Sequence, residues 1–100
     1  MTRLIYILSK SSRKDKKWMV ETQEGKTIHF GGAGYEDFTI HKNLARKTSY
    51  TVRHINEDWT KSGIDTAGFW AKNLLWNKPT LEGSIRDTER KFDIKIIRNI

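Results

Sequence analysis

Apolar and polar residues alternate along the first third of the chain in the manner of β-strands. The uninterrupted apolar run within residues 3–9 predicts a central strand, and the period of two in residues 17–23 and 27–30 predicts two half-buried strands. A polar, cation-rich loop separates the first two segments, and Gly25 permits a tight turn between the second and the third. This pattern predicts a three-stranded antiparallel meander.

The apolar spacing changes to a helical period after the glycine-rich segment 31–34. Three glycines in these four positions permit a sharp, irregular exit from the third strand. In residues 40–55 a set of four aliphatic side chains and one Thr falls within about 120° of arc on a helix. They are Ile40, Leu44, Thr48, Val52 and Ile55. We therefore expect one amphipathic helix over residues 40–55, with a basic stripe on the face opposite its apolar side chains.

A second helix is predicted from Asp65 or Thr66, either of which can act as its N-cap, to Trp76. Its large apolar side chains surround the helix instead of lining one side, which is typical of a buried helix. They are Phe69, Trp70, Leu74, Leu75 and Trp76. Together with Trp59 these aromatic residues could form a ligand-stacking box, but at helical spacing they more simply form a core.

A third helix is predicted after Pro79, which breaks the preceding one. Thr80 is a good N-cap, and the helical period continues to about Lys91. Residues 92–97 alternate apolar and charged side chains and are compatible with a fourth strand. The fold class predicted from these elements is α+β, in which three helices cover a small antiparallel sheet made of the N-terminal meander and a C-terminal fourth strand.

Size and composition narrow the class of protein. A chain of 100 residues suits one domain over residues 1–100. The absence of cysteine excludes a disulfide framework and a thiolate zinc finger. No stretch approaches the roughly 20 apolar residues of a membrane span, and the apolar run in residues 4–8 is too short for a signal-peptide core. We therefore expect an intracellular protein that is neither secreted nor inserted in a membrane.

Positive charge is the most informative surface property of the sequence. Lys and Arg number 19 against 12 acidic residues, a net charge of +7, and no acid interrupts residues 38–56. A polyanion is therefore the expected partner, although such charge also serves solubility and Tyr50 could equally cover the edge of the core. The loop and the helical stripe give the predicted polyanion-binding residues, which are Lys10, Arg13, Lys14, Lys16, Lys17, Lys42, Arg46, Lys47, Tyr50 and Arg53.

Catalytic and cofactor motifs are weak in this chain. The segment 31–34 lacks the Gly-Lys-Ser/Thr of a phosphate-binding loop and matches no dinucleotide fingerprint, so a conformational role is predicted for it. Asp37 and His41 lie one helical turn apart, and His54 stands near Asp58, but neither spacing matches an established ligand motif. We predict no catalytic residue, no metal ligand and no cofactor, and a metal-dependent nuclease ranks last among the alternatives.

Several motifs between residues 34 and 92 carry a resemblance to known proteins. They read GYEDFTIHK in residues 34–42, EDWTKSG in 57–63, TAGFW in 66–70 and LLWNKPT in 74–80, with Arg46-Lys47, Tyr50 and Arg53-His54 between the first two. This pattern resembles a family of small uncharacterised proteins of nucleocytoplasmic large DNA viruses, namely phycodnaviruses and relatives of mimivirus. The resemblance implies no activity and no site residues. It implies a viral protein that is made in the host cell.

The residues and the resemblance together give the predicted function. We expect a non-enzymatic basic viral protein, a minor capsid or core component of the virion, that contacts acidic surfaces of other viral structural proteins or packaged DNA. The alternative is an accessory protein that binds nucleic acid without reading its sequence. The expected location is the virion, or the cytoplasm or nucleus of the host cell.

Overall fold

The computed structural model describes residues 3–99, in which all four expected strands are present. The strands are β1 (Ile5–Lys10), β2 (Lys16–Thr22), β3 (Thr27–Gly32) and β4 (Lys95–Arg98). The helices are α1 (Phe38–His41), α2 (Leu44–Arg53), α3 (Ala67–Trp70) and α4 (Leu81–Phe92). A short 3₁₀ turn (Lys61–Gly63) precedes α3, and a π-helical turn (Ala71–Leu75) continues it. The predicted α+β class is therefore confirmed.

The strands form one sheet in the order β3-β2-β1-β4. β1 to β3 make the predicted antiparallel meander, and Gly25 closes its second turn at a φ of 87°. The fourth strand is present but runs parallel to β1, with Tyr6 opposite Ile96, so the sheet is mixed and not wholly antiparallel. The reason is topological, because β4 follows a long helical connection that returns the chain to the end of the sheet where β1 begins.

The segment predicted as one helix over residues 40–55 contains two helices, which corrects that prediction. Lys42 adopts a left-handed conformation with a φ of 54°, and this ends α1. The side chain of Asn43 then accepts a hydrogen bond from the backbone N–H of Arg46 and caps α2. Asn is among the best N-cap residues, so a new helix begins here. This local preference cannot be predicted from the spacing of apolar side chains.

The orientation of α2 is also the reverse of the expected one. Leu44 and Val52 expose 69% and 66% of their surface, and Ile40 and Ile55 are exposed as well. The side chain that α2 buries is Tyr50, which is only 7% exposed. The sheet face is already covered by α3, the π-helical turn and α4, so α2 packs at the side of the molecule through Tyr50.

The core lies between the sheet and the segment formed by α3 and the π-helical turn. Phe69, Trp70 and Leu74 are fully buried there, which confirms that this is the most buried helical segment. The indole N–H of Trp70 donates to the carbonyl of Ile64 at 2.7 Å, so its polar group is satisfied inside the core. Phe69 and Trp70 therefore belong to the core and not to a ligand-stacking box.

The two predicted N-caps are present. Thr66 accepts from the N–H of Phe69 at the start of α3, and Thr80 accepts from the N–H of Gly83 at the start of α4. Along α4, Ile85 and Thr88 face the core as the helical period predicts. Over residues 3–99 no helix combines the length and the apolar character needed to cross a membrane.

Candidate functional site

A pocket of about 710 Å³ lies between α2, the end of β3 and the segment that follows β3. This volume is in the range of small-ligand sites. Cationic side chains line it from two elements, Lys17 from β2 and Arg46 and Arg53 from α2. The pocket also has an aromatic lining, which consists of Tyr35, Tyr50 and Trp76.

Two glycines of β3 shape one wall of this pocket. Gly31 has a φ of 77°, and a Cβ on it would come within 2.8 Å of Leu75 Cδ1. A Cβ on Gly32 would come within 2.7 Å of the ring of Tyr35. The glycine segment therefore lets the chain turn and lets two side chains lie close to the backbone, in agreement with the conformational role expected for it.

Asp37 organises the floor of the pocket. Its carboxylate accepts hydrogen bonds from the backbone N–H and the hydroxyl of Thr39, which caps α1. The same carboxylate pairs with Lys17 Nζ at 2.7 Å. The side chain of Asp37 is 4% exposed and that of Lys17 is 18% exposed, so the pair is largely withdrawn from water. Lys17 is thus a neutralised, fixed part of the pocket wall and not an exposed cation.

The two arginines of α2 are held much less firmly. Arg46 pairs with Glu36 at 3.2 Å, and both side chains are about half exposed. An exposed pair of this kind contributes little to stability, so an incoming anion can replace Glu36 at small cost. Within residues 3–99, the guanidinium of Arg53 makes no ion pair and no hydrogen bond. Arg53 is therefore the cation of the pocket that is most available to a ligand.

Stacked aromatic rings form part of the pocket lining. Tyr50 stacks on Trp76, with ring centroids 4.5 Å apart and an interplanar angle of 7°, and on His54 at 4.2 Å. The ring of His41 lies 5.3 Å from that of Trp76. Burial raises the pKa of the Tyr50 phenol, so its hydroxyl stays protonated and can donate a hydrogen bond.

Two lysines of the predicted stripe have structural partners, which corrects their placement on one open basic surface. Lys42 Nζ donates to the carbonyl of Pro79 at 2.9 Å, and Lys47 Nζ donates to the carbonyl of Asn77 at 2.7 Å. Lys47 also lies 5.0 Å from the ring centroid of Phe38. Both ammonium groups attach the region of α1 and α2 to the segment that precedes α4.

The cationic loop between β1 and β2 lies beside the pocket. The backbone N–H of Ala33 donates to the carbonyl of Asp15 at 3.0 Å, so the loop contacts the glycine segment directly. Asp15 also pairs with Arg13 at 2.7 Å, and this arginine lowers the pKa of the carboxyl. The other predicted cations of the loop are exposed or half-buried at the same end of the sheet, namely Lys10, Lys14 and Lys16.

The candidate metal ligands fall into separate networks. Asp37 pairs with Lys17, while His54 Nδ1 lies 3.0 Å from the carboxylate of Glu57. Asp58 accepts hydrogen bonds from Thr60 and Ser62, and these hydroxyls lower its pKa. Within the part of the chain that the structure describes, no three His, Asp or Glu side chains converge in a metal-binding arrangement. The nuclease alternative therefore gains no geometric support from these residues.

Four of the predicted polyanion-binding residues line the pocket, and other lining residues were not predicted to bind. Lys17, Arg46, Tyr50 and Arg53 were predicted and do line one pocket. Among the other lining residues are Tyr35, Glu36 and Trp76, the last of which was assigned to the core. The signal for Tyr35 was its position directly after the glycine segment, where a large ring can lie on the backbone of Gly32.

Comparison with known proteins gives one match. The model of a family of unknown function, DUF5754, matches residues 6–54. No curated protein and no solved structure matches the chain. The matched segment contains the meander, α1 and α2, and it ends before Trp76. The match carries no statement of activity, and the resemblance to viral proteins stays a prediction.

Proposed function

We propose that the protein is a non-catalytic module that binds single-stranded nucleic acid without reading its sequence. The observation that carries this proposal is the meeting of Arg46 and Arg53 with three aromatic rings in one pocket. Every nucleic-acid strand contains phosphates and bases, and a cationic groove with aromatic side chains can bind both.

The arginines supply the contact to phosphate. A guanidinium is planar, always charged and able to donate two parallel hydrogen bonds to a phosphate. Arg53 has no competing partner among residues 3–99, and Arg46 gives up only an exposed pair with Glu36. The exposed Lys10 and Lys14 extend the positive field from the neighbouring loop along the path of the strand.

Tyr35 supplies the contact to a base. Tyr35 is 77% exposed, and its ring lies close to the backbone of Gly32. An exposed ring beside cationic side chains can stack on a base, and such stacking contributes about 1 to 3 kcal/mol per base. Every base has such a face, so this contact gives affinity without sequence preference.

Fluorescence anisotropy with a labelled oligothymidylate tests the proposal. The informative variant is Arg53→Gln, and the matched control is Lys95→Gln. Both changes remove one positive charge, but Lys95 lies on β4, at the opposite edge of the sheet from β3. We expect R53Q to weaken binding several-fold and to flatten the slope of log K against log salt by about 0.7, the value for one lost phosphate contact on a single strand.

The control variant shows whether binding depends on the pocket or only on the net charge of the protein. K95Q should retain the affinity and the salt slope of the unchanged protein. Equal losses in both variants, or binding that is indifferent to salt, would contradict the proposal. Tyr35→Ala should weaken binding without changing the salt slope, because stacking releases no counterions.

A structural component of a virion is the second candidate function, and it is compatible with the resemblance to viral proteins. The observation that favours it is the exposed apolar side of α2, where Leu44 and Val52 lie open to solvent. Surfaces of this kind are typical of protein contacts in assemblies. Quantitative mass spectrometry of purified particles tests this function, and absence of the protein from the particles would remove it.

A further inference from the structure

Two carboxylates line the pocket beside its cations, those of Glu36 and Asp37. Neither helps to attract a polyanion, because a carboxylate and a phosphate repel each other. The fold accounts for Asp37, since this residue caps α1 and pairs with the largely buried Lys17. The presence of Glu36 in the pocket needs a different explanation.

The carboxylate of Glu36 makes few contacts with the rest of the fold. Its side chain is 55% exposed, and within residues 3–99 its one hydrogen-bond partner is Arg46, whose Nη1 donates to Oε1 at 3.2 Å. In the proposed function that guanidinium binds a phosphate. A bound strand would therefore leave Glu36 beside a phosphate and without its donor, unless the strand itself provides a new one.

The place of Glu36 in the pocket indicates which part of a nucleotide it would face. Glu36 follows Tyr35 directly in the chain, and its carboxylate contacts Arg46. The proposed function assigns a base to Tyr35 and a phosphate to Arg46. Because the sugar joins the base to the phosphate in every nucleotide, the carboxylate of Glu36 lies where the sugar is expected.

The chemistry of a carboxylate then distinguishes between the two kinds of sugar. An ionised carboxylate only accepts hydrogen bonds, so its partner must be a donor. The sugar of RNA carries a 2′-hydroxyl that can donate, and DNA has no hydroxyl at this position. Dinucleotide-binding sites use an acidic residue in the same way to bind a ribose 2′-hydroxyl. Glu36 therefore gains a partner from RNA and is left unpaired by DNA.

We propose that the strand bound in this pocket is RNA, and that Glu36 selects it by accepting a hydrogen bond from a ribose 2′-hydroxyl. This inference rests on the proposed function, because it needs a strand with a phosphate on Arg46 and a base on Tyr35. Every nucleotide of RNA carries the 2′-hydroxyl. The contact therefore selects the sugar without introducing a preference for base sequence.

Fluorescence anisotropy with labelled oligouridylate and oligodeoxyuridylate of equal length tests the inference. The two strands have the same base and differ only in the 2′-hydroxyl. We expect the ribo strand to bind about three- to tenfold more tightly, which is the range for one net hydrogen bond. A 2′-O-methyl oligouridylate keeps the oxygen but cannot donate, so it should lose this advantage.

The variant Glu36→Ala should bind the ribo and deoxy strands with equal affinity. The matched control is Glu24→Ala, which removes the same charge from the exposed turn between β2 and β3, at the other end of the sheet from the pocket. E24A should keep the preference of the unchanged protein for RNA. Both variants raise the net charge by one, so the ratio of the two affinities, and not either affinity alone, is the quantity to compare.

The outcomes separate this inference from the proposed function. Three results would each overturn the selection of RNA while the proposed binding of single strands stands. They are equal binding of the ribo and deoxy strands, a 2′-O-methyl strand that binds as tightly as the ribo strand, and a preference for RNA that survives in E36A. Absence of binding to all three strands would overturn both.

Discussion

Asp37 connects the fold and the pocket through a single carboxylate. It caps α1 through Thr39 and neutralises Lys17 in a place where water reaches neither group well. Replacing it removes one partner of a largely buried ion pair and leaves the other charge without compensation, which is far more costly than opening a pair in water.

Asp37→Asn should therefore lower the free energy of unfolding by about 2 to 4 kcal/mol. Urea titration followed by circular dichroism measures this change. The control is Asp15→Asn, which breaks the exposed pair with Arg13 and should leave the urea midpoint almost unchanged. Equal shifts in the two variants would show that burial does not increase the contribution of the Asp37–Lys17 pair to stability.

Asp87 gives a prediction on pH. The hydrogen bond from Asn77, together with Arg90 and Lys91, holds the pKa of this carboxyl below its usual value. A lowered pKa stabilises the folded state above the unfolded pKa of about 3.9, and this stabilisation is lost as the pH falls through the folded pKa.

Asp87→Asn should thus reduce stability by about 1 to 2 kcal/mol at pH 7. The difference in stability between the variant and the unchanged protein should shrink below about pH 4, where Asp87 of the unchanged protein begins to protonate. Urea unfolding at a series of pH values measures it. A difference that stays constant down to pH 2 would refute the role of the charge.

At the scale of elements, the end of β3 and the π-helical turn depend on each other through Gly31. A side chain there would need a left-handed backbone and would also collide with Leu75. Gly25 has an equally left-handed φ of 87°, but a Cβ on it would meet nothing within 4 Å. These two positions separate backbone strain from steric overlap.

Gly25→Ala should cost about 1 kcal/mol, which is the strain of the left-handed conformation alone. Gly31→Ala should cost about 1 to 3 kcal/mol more, because Leu75 must move within a close-packed core. Thermal unfolding of the two variants gives the comparison. Equal losses would mean that Leu75 adapts without cost.

Elements with strong local sequence signals could be predicted. Features that depend on which helix packs against the sheet could not. The strands, the Thr66 and Thr80 caps and the buried α3 segment follow from alternation, capping and apolar content. The apolar period of residues 40–55 led to the wrong orientation of α2. That period reports that an apolar face exists, but whether the core has room for this face depends on the other helices.

The candidate site shows the same limit. Charge counting found Arg46 and Arg53, which do line the pocket. It could not separate them from Lys42 and Lys47, whose ammonium groups bind the carbonyls of Pro79 and Asn77. Those carbonyls lie at least 30 residues away in the chain, so no local pattern records the contact.

At the scale of the whole molecule, β4 completes the sheet and the core together. Ile94 and Ile96 are buried beneath the helices, while Ile97 on the opposite face of the sheet is 41% exposed. The parallel pairing of β1 with β4 puts Ile96 beside Tyr6.

Ile96→Ala should therefore lower the free energy of unfolding by about 2 to 4 kcal/mol, since it opens a cavity against Tyr6 and the helices. Ile97→Ala, one residue further along the same strand, should cost much less because water already reaches this side chain. Guanidinium titrations of both variants measure the difference. Similar costs would contradict the register of β4.

The central position of β1 also bears on how the chain is made. Ile5 pairs with Lys95, so one side of β1 has no partner until β4, which lies 90 residues further along the chain, has been synthesised. Until then, the unpaired edge of an apolar strand is exposed to neighbouring nascent chains and to chaperones. Translation speed between β1 and β4 should for this reason influence the yield of correctly folded protein.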